Sequence, residues 1–585
     1  MHAGVGGRRR NRAARAVAGV GALLAVASTG LATTGAAPTQ AVAPPLVVDV
    51  GQVVRPIDRD LVGVHGRDDA ERIATAFDDI APTTFRHVMS DYDFLDFDCT
   101  TKTISPASIA YFTSWIDAVT ARGARPILSL SYVPPCFARD GQPKGPPTDV
   151  AGYRAFLDDL FAALVTDRVK DGKEPMRWFE LWNEPDIPID PGNPSAGHGY
   201  VGTLDEYIAG NLPSLVGALQ KAEADSGTDI HVGMPASFSP WSFGSVYGDL
   251  ATMLEQANGY DRATAEALAA KADAAFGAGA TERIMGNGGT TWGRRVIDEA
   301  AKLGLAIDFA SVHLYPNNPL QGAQFPEQAA PRLLIGRNPD ASPDDYRTLA
   351  ERWRAEFPDQ ELVVSEWALS AGRDDRFGTC ETASFDAASL SVMQDAGIDR
   401  ALYLGHPSGV DDAPFRAWTD LPATQVSATV PDGLAGTWAT AAHDADRTTL
   451  LVSAWHSKLT DAQDLSVPVV VDGLPDGTYD VTIDRIGEGT QAAADRTTLQ
   501  ATSTNGHLEL PAVALRGQSL ARIDVRAAGV DAPRAFTAAT AAPATGTCLA
   551  KAAPGGGSST TTTSPTGSPG ATPATPVDGT ATYTG

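Results

Sequence analysis

Basic residues are few in this 585-residue chain. It has 45 lysines and arginines against 71 aspartates and glutamates, which gives a formal charge of −26 at pH 7. A charge of this sign and size is repelled by nucleic-acid phosphates and by anionic membrane surfaces. We therefore exclude nucleic acid as a partner and expect a protein that acts on uncharged molecules.

Cysteine is also scarce, and the four residues are Cys99, Cys136, Cys380 and Cys548. They form no Cys-x-x-Cys pair and no cysteine–histidine pattern with metal-ligand spacing, so we expect no metal site. Cys99 follows the second predicted strand and Cys136 follows the third. Their loops should be neighbours, and this pair is the expected disulfide.

Long apolar runs are missing beyond the amino terminus. The first residues are basic, and an apolar stretch over about 16–32 leads to the small residues Ala41-Val42-Ala43. This pattern predicts a secretory signal peptide over residues 1–43 and an extracellular mature protein. The alternative is a single membrane anchor, although glycine, serine and threonine interrupt the run. No later run reaches the ~18 apolar residues of a membrane span, so we expect no membrane contact in the mature form.

A glycine-rich phosphate loop is missing as well. From about residue 60, short apolar runs alternate with amphipathic segments, and this alternation predicts a (β/α)8 TIM barrel over residues 59–420. The predicted strands are 61–65, 84–89, 126–132, 178–182, 230–234, 306–315, 361–367 and 400–404. An open doubly wound sheet is the alternative, but residues 64–67 are not its phosphate loop. We therefore expect no nucleotide cofactor.

The rest of the chain shows three other patterns. Residues 245–290 are alanine-rich and predict a helical insertion after the fifth strand. Short strands separated by Asp-Gly turns predict an accessory β-sandwich over residues 421–530. Residues 44–58, with the run 46–50, are expected to add a strand to that sandwich. Residues 531–585 have the composition of a disordered tail.

Two glutamates stand at the ends of predicted buried strands. Glu184 follows Trp178-Phe-Glu-Leu-Trp-Asn183, and Pro185 ends this strand because it has no N–H for the sheet ladder. Glu366 ends the seventh strand. The carboxyl ends of barrel strands are where barrel enzymes hold their chemistry.

This pair of acids indicates glycoside hydrolysis, which normally needs two carboxyl groups flanking one bond. We interpret Glu184 and Glu366 as that pair, and we expect the indole of Trp367 to stack on a sugar ring. The alternatives are a solvated turn carboxylate for Glu184 and a structural arginine partner for Glu366.

Several segments make this chain similar to clan A glycoside hydrolases, and within the clan it resembles glycoside hydrolase family 39. The matching segments are Phe179-Glu-Leu-Trp-Asn-Glu-Pro185, Val232-Gly-Met-Pro-Ala236, Asp308-Phe-Ala-Ser-Val-His-Leu-Tyr315, Ser365-Glu-Trp367 and, more loosely, Thr379-Cys-Glu-Thr-Ala383. The resemblance covers roughly residues 60–405. It implies a retaining barrel enzyme with an accessory sandwich and no cofactor.

The resemblance also implies roles for particular residues. Glu184 would be the general acid/base and Glu366 the nucleophile. Asn183 would bond the sugar hydroxyl next to the reacting carbon, His313 would bond the sugar, and Tyr315 would bond Glu366.

The second strand offers two further candidates for substrate binding, Arg86 and His87. The family spaces its arginine and histidine two residues apart, whereas here they are adjacent, so only one can face the cleft.

The expected function is exo-acting, β-xylosidase-like hydrolysis of plant or microbial polysaccharides or oligosaccharides. Another exo-glycosidase of the clan, arabinosidase-like or iduronidase-like, is the alternative within enzymes. A non-catalytic carbohydrate-binding protein is the alternative outside them.

Overall fold

The computed structural model describes residues 44–535 except 67–69, 90–95, 188–198, 257–259, 277, 317–340, 371–378, 406, 408–411, 458–463, 488–494 and 516. All described residues belong to one compact unit. The predicted signal peptide and nearly all of the predicted tail lie outside the described residues. None of the described helices is long and apolar enough to cross a membrane.

Eight parallel strands close into a barrel. They are Gly63–His65, Thr84–Val88, Arg125–Ser129, Trp178–Glu180, His231–Gly233, Phe309–Leu314, Glu361–Trp367 and Arg400–Leu404. The last strand pairs with the first through Leu402 and Gly63, which closes the ring. Each strand matches one predicted from the sequence, so the predicted TIM barrel is confirmed and the open doubly wound sheet is wrong.

Helices cover the outside of the barrel. The main ones are Ala70–Ile80, Pro106–Thr120, Val150–Phe161, Leu212–Ser226, Gly289–Lys302, Asp345–Glu356, Thr379–Ala396 and Ala413–Thr419. Their starts follow the usual capping chemistry. Ser105 accepts the N–H of Ala107 ahead of a proline at the first helical position, and Asp149 accepts the N–H of Gly152.

Apolar side chains fill the barrel interior towards the amino ends of the strands. Ile127, Phe309, Val363 and Leu402 come from four different strands and form one fully buried cluster. Such a layer makes the barrel a packed core rather than a pore. A site in this barrel is therefore expected at the ends of the strands.

The predicted insertion after the fifth strand is helical. It consists of the short helices Phe243–Tyr247, Leu250–Gln256, Arg262–Ala269, Ala272–Phe276 and Ala280–Gly286. They pack around a small core of their own, which includes Met253 and Leu254.

The carboxyl-terminal region and the amino-terminal strand together form one continuous nine-stranded sheet. Its strands in sheet order are Asp495–Ser503, Gly477–Ile486, Ser519–Ala527, Arg447–Ala454, Thr437–His443, Thr424–Thr429, Leu46–Pro56, Leu465–Asp472 and His507–Leu515. Residues from both ends of this order, such as Val481 and Leu508, belong to a single buried core. The sheet therefore folds over on itself as a sandwich, in agreement with the predicted accessory domain.

The amino-terminal strand Leu46–Pro56 lies within this sheet, between Thr424–Thr429 and Leu465–Asp472. It pairs antiparallel with Thr424–Thr429 and parallel with Leu465–Asp472. Its register shifts between Asp49 and Val53, a bulge of the kind that bends a strand. In the structure, this segment is therefore a strand of the sandwich sheet.

The predicted disulfide between Cys99 and Cys136 is present, with a Cα–Cα distance of 5.6 Å. It joins the segments that follow the second and third barrel strands. Cys380 is also disulfide-bonded, and no cysteine in the described part of the chain is free.

Candidate active site

Glu184 lies in a tight turn just beyond the fourth barrel strand. Its N–H donates to the carbonyl of Ala236 at 2.7 Å, and its φ of 48° is in the left-handed region. For a residue other than glycine this conformation costs on the order of 1–3 kcal/mol and persists only where the surroundings fix it. Gly199 contributes to that environment, because a Cβ added there would meet the Glu184 carbonyl oxygen at 1.4 Å.

Glu366 reaches the barrel interior through an irregular strand. In the pairing with the sixth strand, Val364 is opposite Val312 and Glu366 is opposite His313, so Ser365 is an extra residue. Bulges of this kind re-aim side chains and are common beside active sites. As a result, Glu366 lies on the same side of the barrel wall as His313 and is 2% exposed.

His313 lies between the two glutamates. Its Nδ1 is 2.7 Å from Oε1 of Glu184 and 3.4 Å from Oε2 of Glu366. One atom from each of the three side chains lies within 4.8 Å of the other two. His313 is fully buried, and its Nε2 has no hydrogen-bond partner among the residues that the structure describes.

Both carboxylate oxygens of Glu366 are held. Oε1 accepts from Nη1 of Arg86 at 2.8 Å and is 3.2 Å from Nε2 of His65, whereas Oε2 accepts from the hydroxyl of Tyr315 at 2.6 Å. Burial acts to raise the pKa of Glu366. The neighbouring His313, His65 and Arg86, together with the Tyr315 hydrogen bond, outweigh burial and lower this pKa to about 2. Glu366 is therefore ionised at neutral pH.

His65 is a neutral donor to Glu366. Burial lowers the pKa of His65 to about 3, so the ring carries one proton at neutral pH. Its Nδ1 is 3.1 Å from Nη1 of Arg86, which can only donate. We assign the ring proton accordingly to Nε2, facing Glu366.

Arg86 connects the polar side chains in the barrel. Its guanidinium donates to Glu180 at 2.6 Å through Nε, to Glu366 at 2.8 Å through Nη1 and to Oδ1 of Asn183 at 2.8 Å through Nη2. Glu180 also accepts a short hydrogen bond from the Ser311 hydroxyl. A planar guanidinium suits this role because its donors have fixed directions.

The structure brings together six of the eight residues predicted for the site: Glu184, Glu366, Asn183, His313, Tyr315 and Arg86. Their functional roles remain predictions. The expected bond between Tyr315 and Glu366 is present, whereas the Nδ1 of His313 is directed at the glutamates.

The structure corrects the prediction that His87 is a candidate for substrate binding. The ring of His87 packs 5.6–5.8 Å from the rings of Tyr111, Phe112 and Trp115, on the helix outside the barrel wall. Successive strand residues point to opposite faces. Because Arg86 faces the interior, His87 faces the helix.

The structure also corrects the prediction that the indole of Trp367 stacks on a sugar ring. Trp367 is fully buried, and its ring packs against those of Tyr346, Tyr403 and Phe415. It follows Glu366 on the strand and points to the opposite face, so its indole belongs to the core and is not available to stack on a sugar.

Three interior residues were missed by the sequence interpretation: His65, Glu180 and Ser311. A signal existed for the first, because His65 ends the first barrel strand in register with Arg86. Glu180 and Ser311 are polar residues inside otherwise apolar strands, a pattern that indicates buried partners on a neighbouring strand.

Glu184, His313 and Glu366 also have the spacing of a metal site. The positive guanidinium of Arg86 already contacts Glu366, and it would repel a cation bound at the same carboxylate. Two carboxyl groups with a histidine between them fit proton transfer and nucleophilic attack better than metal binding.

Comparison with known proteins locates the fold among solved structures. No protein-family model matches the sequence, and no curated protein matches it. A glucosidase from Croceicoccus marinus matches over 84% of this chain and 100% of its own, with 16% identity and a TM-score of 0.56. A glycoside hydrolase family 39 enzyme from Xanthomonas axonopodis pv. citri matches over 84% and 100%, with 14% identity and a TM-score of 0.54.

A monomeric β-xylosidase from Caulobacter crescentus matches over 83% of this chain and 99% of its own, with 16% identity and a TM-score of 0.53. At such low identity the likeness establishes the fold. The predicted resemblance is thus confirmed at that level: this chain has the fold of solved glycoside hydrolase family 39 structures along nearly their whole length.

Proposed function

We propose that this protein is a retaining glycoside hydrolase with Glu366 as nucleophile and Glu184 as general acid/base. One observation carries the proposal. An oxygen of Glu184 and an oxygen of Glu366 lie within 4.8 Å of each other at the carboxyl ends of barrel strands. Retaining enzymes hold their two carboxyl groups roughly 5–5.5 Å apart, whereas inverting enzymes need about 6.5–9.5 Å to admit a water molecule.

The electrostatics separate the two roles. Glu366 has a pKa lowered to about 2 and is ionised, as a nucleophile must be. Donors on both of its oxygens fix the carboxylate plane. Glu184 is 9% exposed, and of the side chains that surround Glu366 only His313 hydrogen-bonds to it. Having so few fixed partners suits a group that must gain and lose a proton.

In the first step, an oxygen of Glu366 attacks the anomeric carbon, and the bond from that carbon to the glycosidic oxygen breaks. Glu184 gives its proton to the departing oxygen. In the second step, Glu184 takes a proton from water as the water oxygen attacks the same carbon and releases Glu366. The two inversions return the original anomeric configuration.

Two further groups are placed to hold a sugar. Oδ1 of Asn183 accepts from Arg86, which leaves the amide N–H groups of Asn183 for a substrate hydroxyl. Nε2 of His313 is buried and has no partner among the described residues, and a sugar hydroxyl would supply one.

We favour exo-acting, β-xylosidase-like activity on plant or microbial saccharides. The names of two structures with the same fold, a glucosidase and a β-xylosidase, support a monosaccharide-releasing enzyme. The strongly acidic composition favours an uncharged substrate over a uronic acid.

A panel of 4-nitrophenyl glycosides tests this function, with the double variant Glu184→Gln, Glu366→Gln as the blank. We expect release from the xyloside and the β anomer as the first product in proton NMR. Faster release from an arabinoside or iduronide would assign the alternative exo-glycosidase. An inverted first product would overturn the retaining mechanism, and wild-type protein no faster than the blank on every glycoside would overturn the function.

The proposal includes export from the cell. Residues 1–43 have the signal-peptide pattern, and the Cys99–Cys136 disulfide suits an oxidising compartment. Amino-terminal sequencing of protein from the culture medium should give a start near Pro44. Secreted material that retains Met1 would contradict cleavage.

A further inference from the structure

A buried carboxylate that the proposed mechanism does not use lies two residues after Glu184. Asp186 is 0% exposed. Its Oδ1 accepts the N–H of Phe238 at 2.8 Å, and its Oδ2 accepts the N–H of Ser239 at 3.0 Å. The carboxylate thereby ties the turn after the fourth barrel strand to the segment after the fifth.

The segment that Asp186 holds is bonded to two residues of the candidate site. The carbonyl of Ala236 accepts the N–H of Glu184 at 2.7 Å, and the carbonyl of Ser237 accepts the N–H of His313 at 2.9 Å. Movement of residues 236–239 would therefore alter the 2.7 Å contact between the His313 ring and the Glu184 carboxyl.

The turn itself needs support on its carboxyl side. Glu184 has a φ of 48° and precedes Pro185, and a residue before proline is sterically driven towards extended conformations. On the amino side, the Ala236 carbonyl holds Glu184. On the carboxyl side, Asp186 is the next residue that can hold the chain, and both of its carboxylate oxygens are used for this.

An ordinary anchor would not require a carboxylate. Burial raises the pKa of Asp186 to about 7, in spite of the two backbone N–H donors, and the nearby Glu184 adds to the rise. A neutral asparagine would avoid this desolvation, but its single side-chain oxygen cannot give each N–H its own acceptor. The ionised acid is the side chain of this length that accepts both bonds.

We propose that Asp186 is a positioning residue for acid catalysis, because its carboxylate holds the left-handed turn that aims Glu184 at the departing oxygen. The inference rests on the proposed function and adds a residue to it. Loss of this contact should impair proton donation by Glu184 more than attack by Glu366, whose own supports, Arg86 and Tyr315, come from other strands.

The test compares Asp186→Asn with Asp308→Asn on two glycosides of the preferred sugar. The wild-type Asp308 carboxylate accepts the N–H of Val232 at 2.7 Å, at the amino end of a barrel strand and away from the site. Asp308 is thus a half-buried carboxylate that anchors a backbone N–H in the same way, and it serves as the control. The dinitrophenyl glycoside needs little acid help to depart, whereas the methyl glycoside needs full protonation.

We expect Asp186→Asn to lower kcat/KM for the methyl glycoside about 100-fold, as misplacement by ~1 Å does. The loss on the dinitrophenyl glycoside should stay within about 3-fold, and Asp308→Asn should change both substrates by one common factor. Titration of active sites with a 2-fluoro glycoside inactivator corrects for unfolded protein. Equal losses on both substrates for Asp186→Asn would overturn the role of Asp186.

A second variant covers the case in which Asp186→Asn does not fold. The side chain of Asn287 donates to the carbonyl oxygen of Asp186 at 3.3 Å from outside the turn, and Asn287→Ala should produce the same selective loss at a smaller size. Equal losses in that variant would also overturn the role. A wild-type protein inactive on every glycoside would remove the proposed function and this role together, whereas an active wild type with unselective variants removes only this role.

Discussion

The hydroxyl of Tyr315 donates a 2.6 Å hydrogen bond to Oε2 of Glu366, while Nη1 of Arg86 donates to Oε1 at 2.8 Å. Glu366, the proposed nucleophile, is thus held at both oxygens by donors from two different barrel strands or their ends. Rotation of the carboxylate is restricted before any substrate binds, and this pre-organisation is a main source of catalytic power in enzymes.

Removal of this hydroxyl should slow the reaction without unfolding the protein. A hydrogen bond to a charged group contributes about 1.5–3 kcal/mol, so we expect Tyr315→Phe to lower kcat by about 10- to 100-fold. Tyr346→Phe is the matched control, because the buried Tyr346 hydroxyl donates to the Leu314 carbonyl at 3.1 Å outside the site. Steady-state kinetics that show equal losses in both variants would refute a role for Tyr315 at Glu366.

Arg86 should be required for both stability and catalysis. Arg86→Lys cannot keep bonds to Glu180, Glu366 and Asn183 together, and a broken buried ion pair costs about 3–5 kcal/mol. Urea titrations should show a fall of this order in the free energy of unfolding. Arg125→Lys, at a half-exposed ion pair with Asp60, should change stability by about 1 kcal/mol or less. Similar losses in both variants would contradict the role of Arg86.

His65 on the first barrel strand and His87 on the second should differ in their effect on kcat. His65→Phe removes the donor to Glu366, and we expect kcat to fall by about 10-fold or more. His87→Phe keeps a ring among Tyr111, Phe112 and Trp115 and should leave kcat within about 3-fold of wild type. The opposite order in a kinetic comparison would show that His87 acts in the site after all.

The eight barrel strands could be predicted because each is a short apolar run between helices, which is a local property. The position of Glu184 at the end of its strand could be predicted as well, because Pro185 ends the strand and this is also a local property. Which face of the barrel wall a side chain points to could not be predicted, because it depends on the register of the strand pairing. His87 was one of two adjacent candidates for the cleft and Trp367 was expected to stack on a sugar, but each is next to a residue that faces inward and itself points outward.

Long-range pairing explains the other misses. Alternation alone does not place Ser365 and Glu366, because the bulge interrupts it. Three strands of the sandwich, Thr424–Thr429, Thr437–His443 and Asp495–Ser503, are rich in threonine, serine and alanine, so their composition does not distinguish them from loops. Their stability comes from neighbours distant in sequence, such as the pairing of Val48 with Ala428.

The roles of the two glutamates can be separated by rescue. Glu366→Ala should lower kcat by about 10⁴-fold or more on every substrate, and azide or formate should partly restore turnover. Glu184→Ala should mainly affect poor leaving groups, and azide should give a glycosyl azide of retained configuration with a dinitrophenyl substrate. Glu361→Ala, on an exposed residue at the start of the same strand as Glu366, should remain active. If Glu184→Ala slowed all substrates equally without azide rescue, the acid/base assignment would be wrong.

The ionisation of Asp186 should appear in the pH dependence of stability. Its pKa rises from 3.8 to about 7 on folding, so the folded state binds this proton more tightly than the unfolded state does. The resulting stabilisation is full below 3.8 and is lost as the pH rises through about 7, a change on the order of 4 kcal/mol. His65 acts in the opposite direction, since its lowered pKa gives a stabilisation that is full above 6.5 and lost as the pH falls through about 3.

Because Asp186→Asn keeps His65, the His65 contribution cancels when the variant is compared with wild type. Urea titrations at pH values from about 4 to 8 should therefore show wild type losing stability relative to Asp186→Asn as the pH rises. The slope should approach about 1.4 kcal/mol per pH unit between the two pKa values. A difference that stays constant with pH would mean that Asp186 has the same pKa in the folded and unfolded chains.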